Sequence, residues 1–129
     1  MNKKILITGS LFGLLAIILG AFAAHGLEKS ITKDAIETFQ TGVRYQMYHA
    51  IVLLFVGSTS LITVKTKKWM YYLMVLGVLL FSGSIYGLST NVLTSFDFKT
   101  IGFVTPIGGL FLIISWLFML VNFLKIKAE

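Results

Sequence analysis

Two histidines, one arginine, the glutamine at 46 and a small set of tyrosines and serines interrupt or border apolar runs, and their spacing limits the chemistry open to them. Tyr45, Tyr48 and His49 fall at i, i+3 and i+4, and Arg44 and Tyr48 at i and i+4, so on a helix they share one side. Gln46 lies in the same two turns, and His25, Ser82, Ser84 and Tyr86 are the remaining polar candidates. A Ser–His hydrolase needs an orienting acid beside the pair. Here Glu28, Asp34, Glu37, Asp97 and Glu129 all lie outside the long apolar runs. Two histidines without cysteine, and without a carboxylate inside an apolar run, fall short of the three or four protein ligands of a zinc site. No catalytic residue, metal or cofactor is expected. The structural alternative is that His49 donates to the Ser82 or Ser84 hydroxyl and ties two helices together. Arg44 then reaches lipid phosphate or pairs with Glu28, Asp34, Glu37 or Asp97, and His25 sits at a helix end.

The elements that must position these residues are membrane helices. Of 129 residues, 57% are hydrophobic and only 12% charged, with a mean hydropathy of +0.89. An ordinary soluble domain carries about 25% charged residues, so a soluble enzyme, a disordered chain and a DNA-binding module are excluded. The absence of cysteine removes disulfides and thiolate chemistry. The formal charge is +6, but the basic residues lie mostly outside the apolar runs, so no nucleic-acid partner is expected. Four runs without Asp, Glu, Lys or Arg, about 5–24, 47–64, 69–89 and 101–124, approach the ~20 residues that cross a bilayer core. Lipid-facing segments of this length must be helical to satisfy their own backbone. The expected fold is all-α, an integral membrane four-helix bundle filling a single transmembrane domain, 1–129.

Lysine placement orients it. Lys3, Lys4, Lys65, Lys67, Lys68, Lys125 and Lys127 fall on one side with Glu129, while Lys29, Lys33, Arg44 and Lys99 on the other are balanced by Glu28, Asp34, Glu37 and Asp97. The positive-inside rule predicts both termini in the cytoplasm, in a plasma or inner cell membrane. Trp69, Tyr71 and Tyr72 then form an inner aromatic belt, and His25, Arg44, His49 and the span-three serines fall on the outer side. His49 is expected only about 6–8 Å below the Arg44 level, with Tyr45 and His49 facing the bundle interior or a wet cavity. Ala21-Phe22-Ala23 imitates a signal-peptide cleavage site, but the preceding apolar run exceeds the ~7–15 residues of a signal core, so an uncleaved span is expected.

Gly9, Gly13, Ala16, Gly20 and Ala24 form one small-residue stripe, with Gly83 and Gly87 a second close-approach face. Packing against the chain's own spans is favoured over a dimerisation face. Pro106 fits a first helical turn, and Gly108 and Gly109 allow close packing. Between the first two spans, Ile36, Phe39 and Val43 predict a short amphipathic helix on the outer membrane surface, capped by Thr32 and bent into span two at Gly42. Residues 90–100 read as an interfacial loop.

At Ala24-His25-Gly26-Leu27, Phe39-Gln40-Thr41-Gly42-Val43-Arg44-Tyr45-Gln46-Met47-Tyr48-His49-Ala50, Leu80-Phe81-Ser82-Gly83-Ser84-Ile85-Tyr86 and Thr105-Pro106-Ile107-Gly108-Gly109 the chain resembles the family called domain of unknown function 423. That family comprises the YgdD- and YwdK-like bacterial membrane proteins, with a related animal transmembrane protein. Four motifs in order cover almost the whole chain; Ala23-Ala24 stand where glycine is more usual. The resemblance implies a four-span inner or plasma membrane protein and carries no reaction with it. The expected function is a non-enzymatic accessory, scaffold or membrane-stability role. The alternative is a binding protein or carrier for a small lipid-like molecule at the outer polar cluster. The expected partner is the lipid bilayer, with another membrane protein or a second copy of the chain left open.

Overall fold

The apolar runs become helices because a segment of this composition finds backbone partners most readily within itself. A computed structural model describes residues 1–127; Glu129, counted above with the lysine-rich side, lies outside them. The helices are α1 (Asn2–His25), α2 (Lys33–Ser58), α3 (Val64–Ser89) and α4 (Val104–Leu124), and there is no strand among the described residues. Short 3₁₀ turns at Leu27–Lys29, Asn91–Leu93 and Phe98–Ile101 occupy the connections. α1, α3 and α4 are long and apolar enough to cross a membrane. α2 does not meet the same standard, because charged and polar residues fill its first three turns.

The separate amphipathic helix expected before span two does not exist. Its residues are the opening of α2, which starts at Lys33 and continues without interruption through Gly42 to Ser58. Thr32 caps it as expected, its Oγ1 accepting from the Ala35 N–H at 3.1 Å. The apolar face of this segment covers protein rather than lipid headgroups. Phe39 is buried with Ala23 and Leu27, and its ring lies 4.8 Å from that of Tyr86. A Cβ at Gly42 would sit 2.8 Å from the Tyr86 ring, so the glycine makes room for α3 and does not end the helix.

α1 packs along α2, α4 along α3, and α2 against α3 in the middle. In lipid such pairs gain little from burying apolar surface and depend on close contact. A Cβ on Gly9 would come within 3.0 Å of the Ala50 carbonyl, and one on Gly108 within 2.8 Å of the Leu80 carbonyl carbon. Gly13, Ala16 and Gly20 continue the α1 stripe onto α2, but the stripe ends at buried Ala23, while Ala24 is exposed. Gly87 is covered by the Phe98 ring, whereas Gly83, paired with it above, has nothing within 4 Å and faces outward. Gly57 and Gly77 supply close approaches to Leu6 and Leu112 that the spacing alone does not single out. Pro106 lies in the first turn of α4, as expected, and a Cβ on Gly109 would meet the Phe81 ring at 3.5 Å, an ordinary contact.

Two polar side chains organise the α2–α3 end. Lys67, counted with the lysine-rich side, is only 5% exposed; its Nζ donates to the Thr59 carbonyl at 2.6 Å and to Asn2 Oδ1 at 3.0 Å. Asn122 accepts from the Thr63 N–H and donates to the Leu61 carbonyl, so the end of α4 holds the same turn. Tyr71 is also withdrawn from the expected aromatic belt. It is buried and hydrogen-bonded to Thr8 at 3.0 Å, while Trp69 and Tyr72 stay exposed. Trp69 stacks on Phe118, and Lys4 Nζ lies over the Tyr71 and Tyr72 rings at 5.1 and 5.4 Å.

Candidate functional site

The polar residues of the central helices divide into three separate contacts rather than one cluster. The first runs across three helices. Tyr86 of α3 donates through its hydroxyl to Gln46 Oε1 at 2.6 Å, and buried Gln46 donates through Nε2 to the Phe12 carbonyl of α1 at 2.8 Å. Beside it, Ser82 donates to the Gly42 carbonyl at 2.7 Å, made possible by the absence of a side chain on Gly42. The second joins α3 to α4: Ser84 Oγ and Thr105 Oγ1 share a hydrogen bond, and Ser84 also donates to the Phe81 carbonyl at 3.1 Å.

The third contact holds His49, and it corrects the expected pairing with Ser82 or Ser84. Trp116 Nε1–H of α4 donates to His49 Nε2 at 3.0 Å, with the two rings edge-on, their centroids 6.1 Å apart. An indole nitrogen can only donate, so Nε2 must be the unprotonated atom; Nδ1–H then donates to the Tyr45 carbonyl at 2.7 Å. These two partners assign the neutral Nδ1–H tautomer. Both ring nitrogens are occupied, and the residue is buried. His49 follows Arg44 by five residues, about 7–8 Å along α2 as expected, but Arg44 is itself well inside the helix. His49 comes sixteen residues after Lys33 in the 26-residue α2, roughly 24 Å along it at ~1.5 Å per residue, near the middle of the bundle.

Tyr45 and Tyr48 do not face the interior. They are 39% and 50% exposed on the α2 flank, their rings 5.6 Å apart, with Tyr45 also 5.0 Å from Phe81. Neither hydroxyl has a hydrogen-bond partner among the described residues. Below them a groove of about 420 Å³ opens between α2 and α4, lined by Tyr45, His49, Phe81, Leu112, Ile113 and Trp116. Arg44 is exposed one turn above, and its Nη2 donates to Thr41 Oγ1 at 2.9 Å instead of to an acid. His25 is exposed at the last position of α1, away from these contacts. Among the described residues no three His, Asp or Glu side chains converge as a metal site would require. The loop after α3 is a folded cap: Asp97 accepts from Asn91 and the Lys99 N–H, and Asn91 Oδ1 accepts from the Phe98 N–H.

Trp116 is the residue that sequence reasoning missed. The available signal was its place, twelve residues into the 21-residue α4, where an indole N–H lies far from either membrane interface and needs an acceptor.

Comparison with known proteins agrees with this architecture. Residues 19–109 match the family described as "Protein of unknown function (DUF423)". The UPF0382 membrane protein YwdK of Bacillus subtilis is 40% identical over 128 residues, covering 95% of this chain and 98% of its own. A UPF0382 membrane protein of Staphylococcus saprophyticus is 36% identical, covering 96% of this chain and 99% of its own. The UPF0382 inner membrane protein YgdD of Escherichia coli is 33% identical, covering 99% and 95%. No solved structure matches.

Proposed function

The chain belongs to the DUF423 family of membrane proteins, and we propose that it is a four-span, non-enzymatic protein of the plasma or inner membrane with a scaffold or accessory role. The observation that carries this reading is the commitment of both His49 nitrogens to Tyr45 and Trp116. A general base needs a free lone pair within reach of a substrate proton, and here the only unprotonated ring nitrogen is used to bind α2 to α4. Gln46, Ser82, Ser84 and Tyr86 are likewise engaged with other helices. Interhelical polar contacts of this kind contribute about 0.6 kcal/mol each, a packing role rather than a reactive one. α2 completes the fourth crossing, and the lysines at residues 3, 4, 65, 68, 125 and 127 favour cytoplasmic termini.

The test is complementation of a strain lacking the protein by the double variant His49→Leu/Trp116→Phe, which keeps an apolar contact and removes the imidazole. A scaffold role gives rescue in proportion to the amount of folded protein in the membrane. Loss of rescue at a normal folded level would reject the structural role in favour of chemistry at His49. A second reading, binding of a lipid-like molecule, is supported by one specific feature, the α2–α4 groove beneath two unpartnered tyrosine hydroxyls.

A further inference from the structure

The outward face of α2 changes character along its length, from carboxylates through Arg44 and two tyrosines to apolar residues. Asp34, Glu37, Thr41, Arg44 and Tyr48 fall at spacings of three, four, three and four, and so lie on one stripe. Asp34, Glu37, Thr41 and Arg44 line one surface depression, while Tyr45 and Tyr48 lead from it into the space beside Trp116. Beyond Tyr48 the exposed residues become apolar, with Ile51 and Phe55.

Depth makes this stripe unusual. Gln40 reaches the Gly20 carbonyl and Gln46 that of Phe12, so Arg44 lies level with the stretch of α1 between them. There α1 turns Ile17, 66% exposed, and Ile18 outward. The 26 residues of α2 span roughly 39 Å, against about 30 Å for a hydrocarbon core. Counted from Ser58, that core ends near residue 38, which leaves Arg44 inside it and Glu37 and Asp34 above. A guanidinium at this depth turns toward the interface and seeks an anion. Arg44 does turn that way, bonding Thr41 one turn outward, and no ion pair to Glu37 or Asp34 forms among the described residues.

Resting on the lipid-binding reading and on α2 crossing the membrane, we propose that this face and the groove below it hold one phospholipid with a primary ammonium headgroup, phosphatidylethanolamine. The order of chemistry along the protein matches the order along that lipid. An acyl chain lies in the α2–α4 groove against Phe81, Ile113 and Trp116. The ester carbonyls meet the free hydroxyls of Tyr45 and Tyr48, which can donate to them. The phosphate meets the Arg44 guanidinium at the level of Thr41, and the ammonium meets the carboxylates of Glu37 and Asp34, about one and two turns beyond Thr41. An anionic lipid without the ammonium would bring its headgroup against those two carboxylates, and a quaternary ammonium has no N–H to donate to them, so charge and hydrogen bonding together select the primary ammonium.

The experiment is native mass spectrometry of the full chain in detergent, titrated with phosphatidylethanolamine, phosphatidylcholine or phosphatidylglycerol of identical acyl chains. Phosphatidylethanolamine should give a single retained adduct at lower concentration than the other two. Arg44→Gln should weaken it about tenfold. Asp34→Asn/Glu37→Gln should remove the preference over phosphatidylglycerol, and Ile113→Trp should fill the groove and block all three. These are exposed positions, and an unchanged melting temperature without lipid verifies that each variant folds. Equal adducts from all lipids, indifferent to these variants, overturn the site. The crossing is tested apart from lipid: cysteines at Glu37 and Ser58 labelling from the same side of the membrane would remove the four-span premise, and the proposal with it.

Discussion

An indole N–H on a half-exposed ring in the middle of an apolar helix needs an acceptor, and Trp116 takes the one lone pair that His49 has to offer. The energetics of this contact are asymmetric. Removing one partner leaves the other desolvated and unpaired, while removing both leaves an apolar contact with nothing to satisfy. His49→Leu and Trp116→Phe should each lower the detergent melting temperature, and the double variant should lose less than the sum. The coupling in a double-mutant cycle should be about 0.6 kcal/mol, with ~1.7 as the upper bound seen for such pairs. Strictly additive losses would mean that the bond contributes nothing. His49→Gln should fall between wild type and His49→Leu, because an amide can restore only one of the two bonds. That His49 is a buried, hydrogen-bonded residue was legible from its place in an apolar run. Its partner was not, because four helices offer several polar residues at similar depth and only their rotation about their axes selects among them. Tyr45 and Tyr48 share the His49 side in sequence, yet a rotation of α2 that buries Gln46 and His49 leaves them on the flank.

At the scale of elements, glycine positions are distinguished by what faces them. Gly108 meets the backbone of α3 at Leu80 and Phe81, which cannot turn aside as a side chain can, whereas Gly83 meets nothing. Gly108→Ala should therefore destabilise the bundle by about 1–3 kcal/mol through overpacking, measured as a lower melting temperature. Gly83→Ala should be neutral or slightly stabilising, since alanine favours a helix more than glycine does. Equal effects at the two sites would show that α3 and α4 do not meet at Gly108. Lys67 belongs to the same scale, because it joins the start of α1 to the end of α2 through Asn2 and Thr59. Lys67→Met should lower the melting temperature clearly, while Lys68→Met, at an exposed position, should leave it almost unchanged. α1, α3 and α4 were legible as continuous apolar runs. The start of α2 was not, because a charged amphipathic opening followed by an apolar run has the same pattern whether the helix breaks at Gly42 or continues. Packing of Phe39 on Tyr86 and of Gly42 against α3 decides for continuation.

For the whole molecule, the distribution of charge predicts how this bundle sits in its membrane, in a form that can be measured. Helix α2 is the informative element: if it crosses, Lys33 and Ser58 lie on opposite sides, and the lysines at the start of α1, beside the α2–α3 turn and at the end of α4 share the side of Ser58. Lys67 is a poor reporter because its ammonium is buried against Thr59, so substitution there tests folding instead of topology. Lys65 and Lys68 are exposed and suited to the purpose. The chain has no cysteine, so single cysteines report without background from the protein. In intact cells a membrane-impermeant thiol reagent should label Lys33→Cys, and should leave Lys65→Cys and Lys127→Cys protected until the membrane is opened. Labelling of Lys65→Cys but not Lys33→Cys would reverse the orientation and place the Arg44 face in the cytoplasmic leaflet. Labelling of both would mean that α2 does not cross. In that case the charged opening of α2 would need no lipid headgroup to match it, since Arg44 would already be in water.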